Sequence, residues 1–151
     1  MEVKNFLRRE SITSGLESRT KEEVLEELVS LLEKTGEVTD KKEFLRVIRE
    51  REKLGSTGIG YNIAIPHARS LGIKSLIGAF GISKKGIDFD ALDKEPVYLF
   101  FLLGAPPEAS GNYLKALASI SRLLRRKRAR DDLMNAKTVE EIEKIIQREE
   151  L

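Results

Sequence analysis

The 151-residue chain carries 27 Lys and Arg against 25 Asp and Glu, a formal net charge of +2, with no cysteine and a single histidine. The length suits one domain with a real core. The absence of cysteine excludes disulfides, thiol catalysis and thiolate metal sites, and fits a cytoplasmic protein. No apolar run approaches the roughly 20 residues that cross a bilayer, Met1–Asn5 lacks the features of a secretory signal, and the small net charge does not by itself point to nucleic acid.

Three segments open with a capping residue three positions before a Glu: Thr20 with Glu23, Asp40 with Glu43, and Thr138 with Glu141. In such pairs the cap oxygen and the carboxylate satisfy backbone N–H groups left free in the first helical turn. After Thr20, Val24, Leu25, Leu28, Leu31 and Leu32 recur at helical spacing. The pattern predicts a helix that ends near Gly36, and a second that runs from Asp40 to about Lys53 and stops before Gly55.

The middle of the chain predicts strands. Ile63-Ala64-Ile65 is a short one, halted by Pro66. Leu76–Ile82 reads as a buried strand, Lys84-Lys85-Gly86 as the turn after it, and Pro96–Leu103 as the strongest strand, apolar enough to be covered on both faces. A helix from Asn112 to about Lys127, a short helix around Asp131 to Ala136 and the Thr138 helix complete the chain. Helices, then strands, then helices predict a single α/β domain with a mixed central sheet and helices on both faces.

Phe6, Phe44, Phe80, Phe100 and Phe101 read as core. The basic run Arg122–Arg130 reads as a solvated helix end, where cations complement the helix dipole, and nucleic acid is not an expected partner because no aromatic platform accompanies it. Asp88, Asp90 and Asp93 lack EF-hand spacing and read as a turn with exposed carboxylates. No metal site and no cofactor are expected.

The informative stretch runs from Arg51 to His67. Gly55, Gly58 and Gly60 open backbone conformations closed to other residues, Ser56 and Thr57 add hydroxyls, and a loop of this kind can bring N–H groups to an anion. Pro66 then fixes the approach to His67 at a strand end, where sites in α/β sheets commonly lie. A neutral imidazole is a good nucleophile near pH 7. One His without Cys cannot build the usual metal clusters, and neither a nucleophile elbow nor a Walker A loop occurs here. Transfer through a phosphohistidine needs one nucleophile and groups that neutralise phosphoryl oxygens. Arg51, Ser56, Thr57 and the glycine N–H groups are of the right kinds. The residues alone leave His67 open between this role and a structural one.

Arg51-Glu52, Gly55-Ser56-Thr57-Gly58-Ile59-Gly60 and Ile63-Ala64-Ile65-Pro66-His67 resemble, without a gap, the active-site signature of EIIA domains of the phosphoenolpyruvate:sugar phosphotransferase system. The branch is the fructose/mannitol type, which includes nitrogen-regulatory EIIA proteins. Gly86–Asp93, the Pro96–Leu103 strand and the Pro-then-helix that follows resemble it too, so the likeness spans nearly the whole of residues 1–151.

The resemblance implies that His67 is phosphorylated on Nε2 by phospho-HPr and passes the group to an EIIB partner. It implies that Arg51 lies near the phosphoryl group and that Ser56, Thr57 and Gly58 belong to the signature loop around it. Two positions depart from the pattern. Tyr61-Asn62 stands where the family usually has Asn-Gly, and Asn62 can take the left-handed conformation. Tyr113 stands where the family often has a second histidine; its hydroxyl can bond a phosphoryl oxygen, with Lys115 nearby in sequence adding charge. This difference bears on transfer rate and partner choice. The alternative that the resemblance carries is a regulatory, nitrogen-type module whose target binding depends on phosphorylation of His67.

Overall fold

All three capping pairs open helices in the computed structural model, which describes residues 1–151. Thr20 caps α1 (Lys21–Glu33), Asp40 caps α2 (Lys41–Lys53) and Thr138 caps α5 (Val139–Glu149), each accepting from the Glu N–H three residues on. Between α2 and α5 lie α3 (Ser110–Arg125) and α4 (Lys127–Asn135).

The sheet has six strands: β1 (Leu7–Thr13), β2 (Gly58–Gly60), β3 (Ile63–Ala64), β4 (His67–Arg69), β5 (Ile77–Ile87) and β6 (Val97–Ala105). Their order is β1-β5-β6-β3-β2, with β4 also on β6. β5 and β6 are antiparallel, while β1 on β5, and β3 and β4 on β6, are parallel. The sheet is mixed, as predicted.

Side chains of β6 alternate between two cores. Phe100 and Leu102 join Leu28, Leu32, Phe44 and Ile48 under α1 and α2. Leu99, Phe101 and Leu103 join Ile120, Leu124, Leu133 and Ile142 under α3, α4 and α5. Helices therefore cover both faces. No helix is long and apolar enough to cross a membrane.

The structure corrects four expectations. β1 precedes the first helix, and the stretch Leu7-Arg8-Arg9-Glu10 hides it because only Ser11 and Ile12 of this edge strand are buried. Lys84-Lys85-Gly86 is not a turn but part of β5. The ladder with β6 is irregular between Ile82 and Ile87, and Gly86 takes φ +81° there, so the turn-like glycine serves a bulge. Pro66 interrupts a strand rather than halting it, since its carbonyl still accepts the Leu103 N–H at 3.0 Å and the chain re-enters the sheet at His67. Finally, the basic run is split. Arg122 and Arg125 do sit in the last turn of α3, but Lys127 and Arg128 begin α4, where they pair with Asp131 and Asp132 one turn on.

β2 and β3 form a hairpin closed by Tyr61 (φ 56°) and Asn62 (φ 65°), both left-handed. Asn62 thus takes the conformation expected of it, and its side-chain amide donates to Pro96 O at 2.8 Å. The aspartates form turns: Asp88 and Asp93 carboxylates accept the backbone N–H groups of Asp90 and Glu95.

Candidate active site

β3 and β4 lie in line along one edge of β6, so β4 reaches the carboxyl end of that strand: His67 stands opposite Leu103 and Arg69 opposite Ala105. The cleft at this end has a volume of about 540 Å³. His67, Arg69, Arg51 and Tyr113 supply its polar wall; Val47, Pro107, Leu114 and Leu117 supply the apolar rim. No carboxylate lines it.

His67 is half-buried, and its Nδ1 lies 2.6 Å from the carbonyl oxygen of Ile65. A carbonyl can only accept, so Nδ1 carries the proton and Nε2 keeps a free lone pair. Burial holds His67 below the ordinary histidine value, the Arg51 charge acts the same way, and the Ile65 carbonyl and Glu52 oppose them. The ring is therefore neutral and nucleophilic at pH 7.

Arg51 comes from the last turn of α2 and donates through Nη1 to Gly55 O at 2.9 Å, which ties it to the start of the glycine loop. Tyr113, in the first turn of α3, sets its ring 6.1 Å from the imidazole. Burial pushes its phenol up to about 12, against the pull of Arg69 and Arg51, so the hydroxyl stays protonated and able to donate.

The structure brings His67, Arg51 and Tyr113 together but keeps Ser56, Thr57 and Gly58 out of the cleft wall. The Ser56 hydroxyl donates to Phe89 O at 3.0 Å and accepts from Gly58 N. The Thr57 hydroxyl donates to Glu52, whose other oxygen accepts Thr57 N–H at 3.2 Å and meets Lys21 Nζ at 3.0 Å. A Cβ on Gly58 would come 2.9 Å from Ala91, so glycine here permits close packing of two loops. These residues shape the loop and spend their polar groups inside it.

Two residues escaped the sequence reading. Arg69 shares the cleft, and its signal was the period-two spacing from His67 on a strand. Glu52 is a buried carboxylate at the centre of the loop, and its only signal was its place beside Arg51. No group of three metal-binding side chains occurs in the fold.

Residues 5–149 match the family of the phosphoenolpyruvate-dependent sugar phosphotransferase system, EIIA 2. The chain belongs to this family. It is 38% identical over 146 residues to the fructose-specific EIIABC component of Bacillus subtilis, covering 97% of this chain but only 23% of that protein. It is 39% identical over 127 residues to a nitrogen regulatory protein of Bradyrhizobium diazoefficiens, covering 83% of this chain and 81% of that protein. Among solved structures, nitrogen regulatory protein IIA-Ntr of Neisseria meningitidis superposes with a TM-score of 0.87 at 34% identity, over 94% of this chain and 97% of that one. Enzyme IIAMtl of Escherichia coli, in complex with phosphorylated enzyme IIBMtl, shares the fold with a TM-score of 0.77 at 20% identity, over 94% and 99% of the two chains. The relatives of this chain in the EIIA family thus include both a fructose-specific phosphotransferase component and nitrogen regulatory proteins.

Proposed function

We propose that this EIIA family member is a phosphocarrier, and so a phosphotransferase, that accepts a phosphoryl group from phospho-HPr on His67 and donates it to an EIIB partner. The observation that carries the reading is the Nδ1–Ile65 hydrogen bond, which leaves Nε2 as the free nucleophile in a cleft lined by cations and no carboxylate. The Nε2 lone pair forms a new N–P bond as the donor's N–P bond breaks, and that bond's electron pair stays on the donor nitrogen. Nδ1 keeps its proton, and the Ile65 carbonyl meets the positive charge that develops on the ring. Arg51 neutralises phosphoryl oxygens, and the Tyr113 hydroxyl donates to one of them. Ser56, Thr57 and Gly58 serve by fixing the loop that carries Arg51's anchor, Gly55. The apolar rim of Val47, Leu114 and Leu117 receives the partners. The Escherichia coli complex, in which a protein of the same fold sits with phosphorylated IIBMtl, supports an EIIB acceptor. The same reading assigns the chain to the cytoplasm.

The test is intact-protein mass spectrometry after incubation with phosphoenolpyruvate, enzyme I and HPr. Gain of one acid-labile phosphoryl group, absent in His67→Ala, is expected, followed by its loss on addition of EIIB. No gain in folded protein beside phosphorylated HPr would overturn the reading.

The 39% identity to a nitrogen regulatory protein favours a second reading. In it, phosphorylation of His67 switches binding of a regulatory target. A target whose binding depends on the phosphorylation state, without transfer to any EIIB, distinguishes it from the first.

A further inference from the structure

We propose that Arg69 is a second cation that contacts the phosphoryl group on His67, an assignment that rests on the phosphocarrier reading. On β4, His67 and Arg69 are two residues apart and project from the same face of the strand. Both line the cleft, and both face Tyr113: the imidazole lies 6.1 Å from its ring and the Arg69 guanidinium 5.6 Å from it.

Arg69 is held in position without being neutralised. Its Nη1 donates to the Ser110 hydroxyl at 2.6 Å and to Pro107 O at 3.2 Å, both neutral acceptors at the head of α3. No carboxylate pairs with it, although Arg9, Arg46 and Arg49 all pair with glutamates on the surface. Its Nε and Nη2 donate to nothing within the chain. A guanidinium with one nitrogen anchored, two left free and its charge unopposed is suited to bidentate binding of a tetrahedral anion.

Arg51 reaches the cleft from α2 and is likewise anchored through one nitrogen, on Gly55 O. The two arginines enter from different elements, and both line the cleft that holds His67. A phosphoryl group on Nε2 brings its negative charge into a cleft lined by two arginines that pair with no carboxylate. Contact with Arg69 forms only when the phosphoryl group is present, so it stabilises the phosphorylated state and not the fold in general.

The experiment equilibrates the full chain with phospho-HPr and reads both proteins by intact mass, for wild type, Arg69→Ala and Arg69→Lys, with thermal melting of each before and after phosphorylation. Arg69→Ala is expected to lower the equilibrium ratio of phosphorylated to free protein about tenfold, the order of one charge-assisted hydrogen bond. Arg69→Lys, a point charge without the planar fork, recovers part of it. The rise in melting temperature on phosphorylation shrinks in Arg69→Ala, whereas a purely structural role would lower both states equally. An unchanged ratio in Arg69→Ala beside a phosphorylated wild type overturns the Arg69 assignment alone. A wild type that takes no phosphoryl group overturns the carrier reading and this assignment with it.

Discussion

His67 and Ile65 are joined across Pro66 by a hydrogen bond from the ring Nδ1–H to the backbone carbonyl, 2.6 Å long. The bond fixes the tautomer, because only a protonated Nδ1 can make it. We predict that the neutral ring at pH 7 shows a protonated Nδ1 and a bare Nε2 in long-range nitrogen–proton spectra, which the single histidine makes free of overlap. In the phosphorylated protein the phosphorus–nitrogen coupling belongs to Nε2. Coupling to Nδ1 would contradict the geometry.

The same ring sets a pH dependence. Burial chiefly, and Arg51 next, hold its pKa below the ordinary 6.5. The unfolded chain therefore takes up a proton near 6.5 while the folded chain does not. The contribution of His67 to stability is fully present above that value and is lost as pH falls through the lower folded value. Phosphoryl acceptance should decline with falling pH along the His67 titration, with its midpoint below 6.5 and at lower pH than a free imidazole would give. An NMR titration of His67 checks this. Its midpoint should lie below 6.5, and Arg51→Gln should raise it, since the Arg51 charge opposes protonation. A wild-type midpoint at or above the ordinary value, or a further drop in Arg51→Gln, would refute the account.

Glu52 holds the loop that supports the site. Its carboxylate is buried, with Thr57 N–H and hydroxyl on one side and Lys21 on the other, and Lys21 also lies 4.6 Å from the Phe89 ring centroid. Removing the Glu52 carboxylate leaves the buried Thr57 N–H and hydroxyl without an acceptor and the partly exposed Lys21 without its counter-ion, at a cost of about 3 kcal/mol, most of it from Thr57. Glu52→Ala should therefore lower the melting temperature by roughly 10 °C in a domain of this size. An exposed glutamate such as Glu50, paired only with Arg46 on the helix surface, should cost little by comparison. If the two alanine variants melt together, the network does not hold the loop.

How far these features were legible depended on whether local chemistry or tertiary position decides them. The helix starts at Thr20, Asp40 and Thr138 were legible because a cap and its glutamate act within one turn. β6 was legible because both of its faces are apolar. β1 was not: an edge strand that buries only Ser11 and Ile12 can be charged along most of its length. His67 stood out as the only histidine, set behind a proline. Arg69 did not, because its role requires that three residues after a proline form a strand, and nothing local demands that. Glu52 looked like any other helical glutamate, since its burial is set by α1 and the Phe89 loop. Ser56 and Thr57 were recognised as donors, but composition does not say which way a hydroxyl points, and both point inward.

Tyr61 carries a cost that the fold does not require. At φ 56° beside Asn62 at φ 65°, it occupies a position of a two-residue hairpin where Asn or Gly is the usual solution. A bulky residue in this region is disfavoured by about 1–2 kcal/mol, and its side chain is exposed, with the Arg130 guanidinium 4.8 Å from the ring centroid. A cation–π contact at an exposed site offsets only about 0.5–1 kcal/mol of this. Tyr61→Asn should therefore stabilise the protein by about 0.5–1 kcal/mol, a rise in melting temperature of roughly 1–4 °C. Tyr61 is not among the residues lining the cleft that holds His67, so the same variant should accept phosphoryl groups at the wild-type rate. A lower melting temperature would mean that the Arg130 contact outweighs the backbone strain; a changed transfer rate would mean that the hairpin belongs to the partner-docking surface.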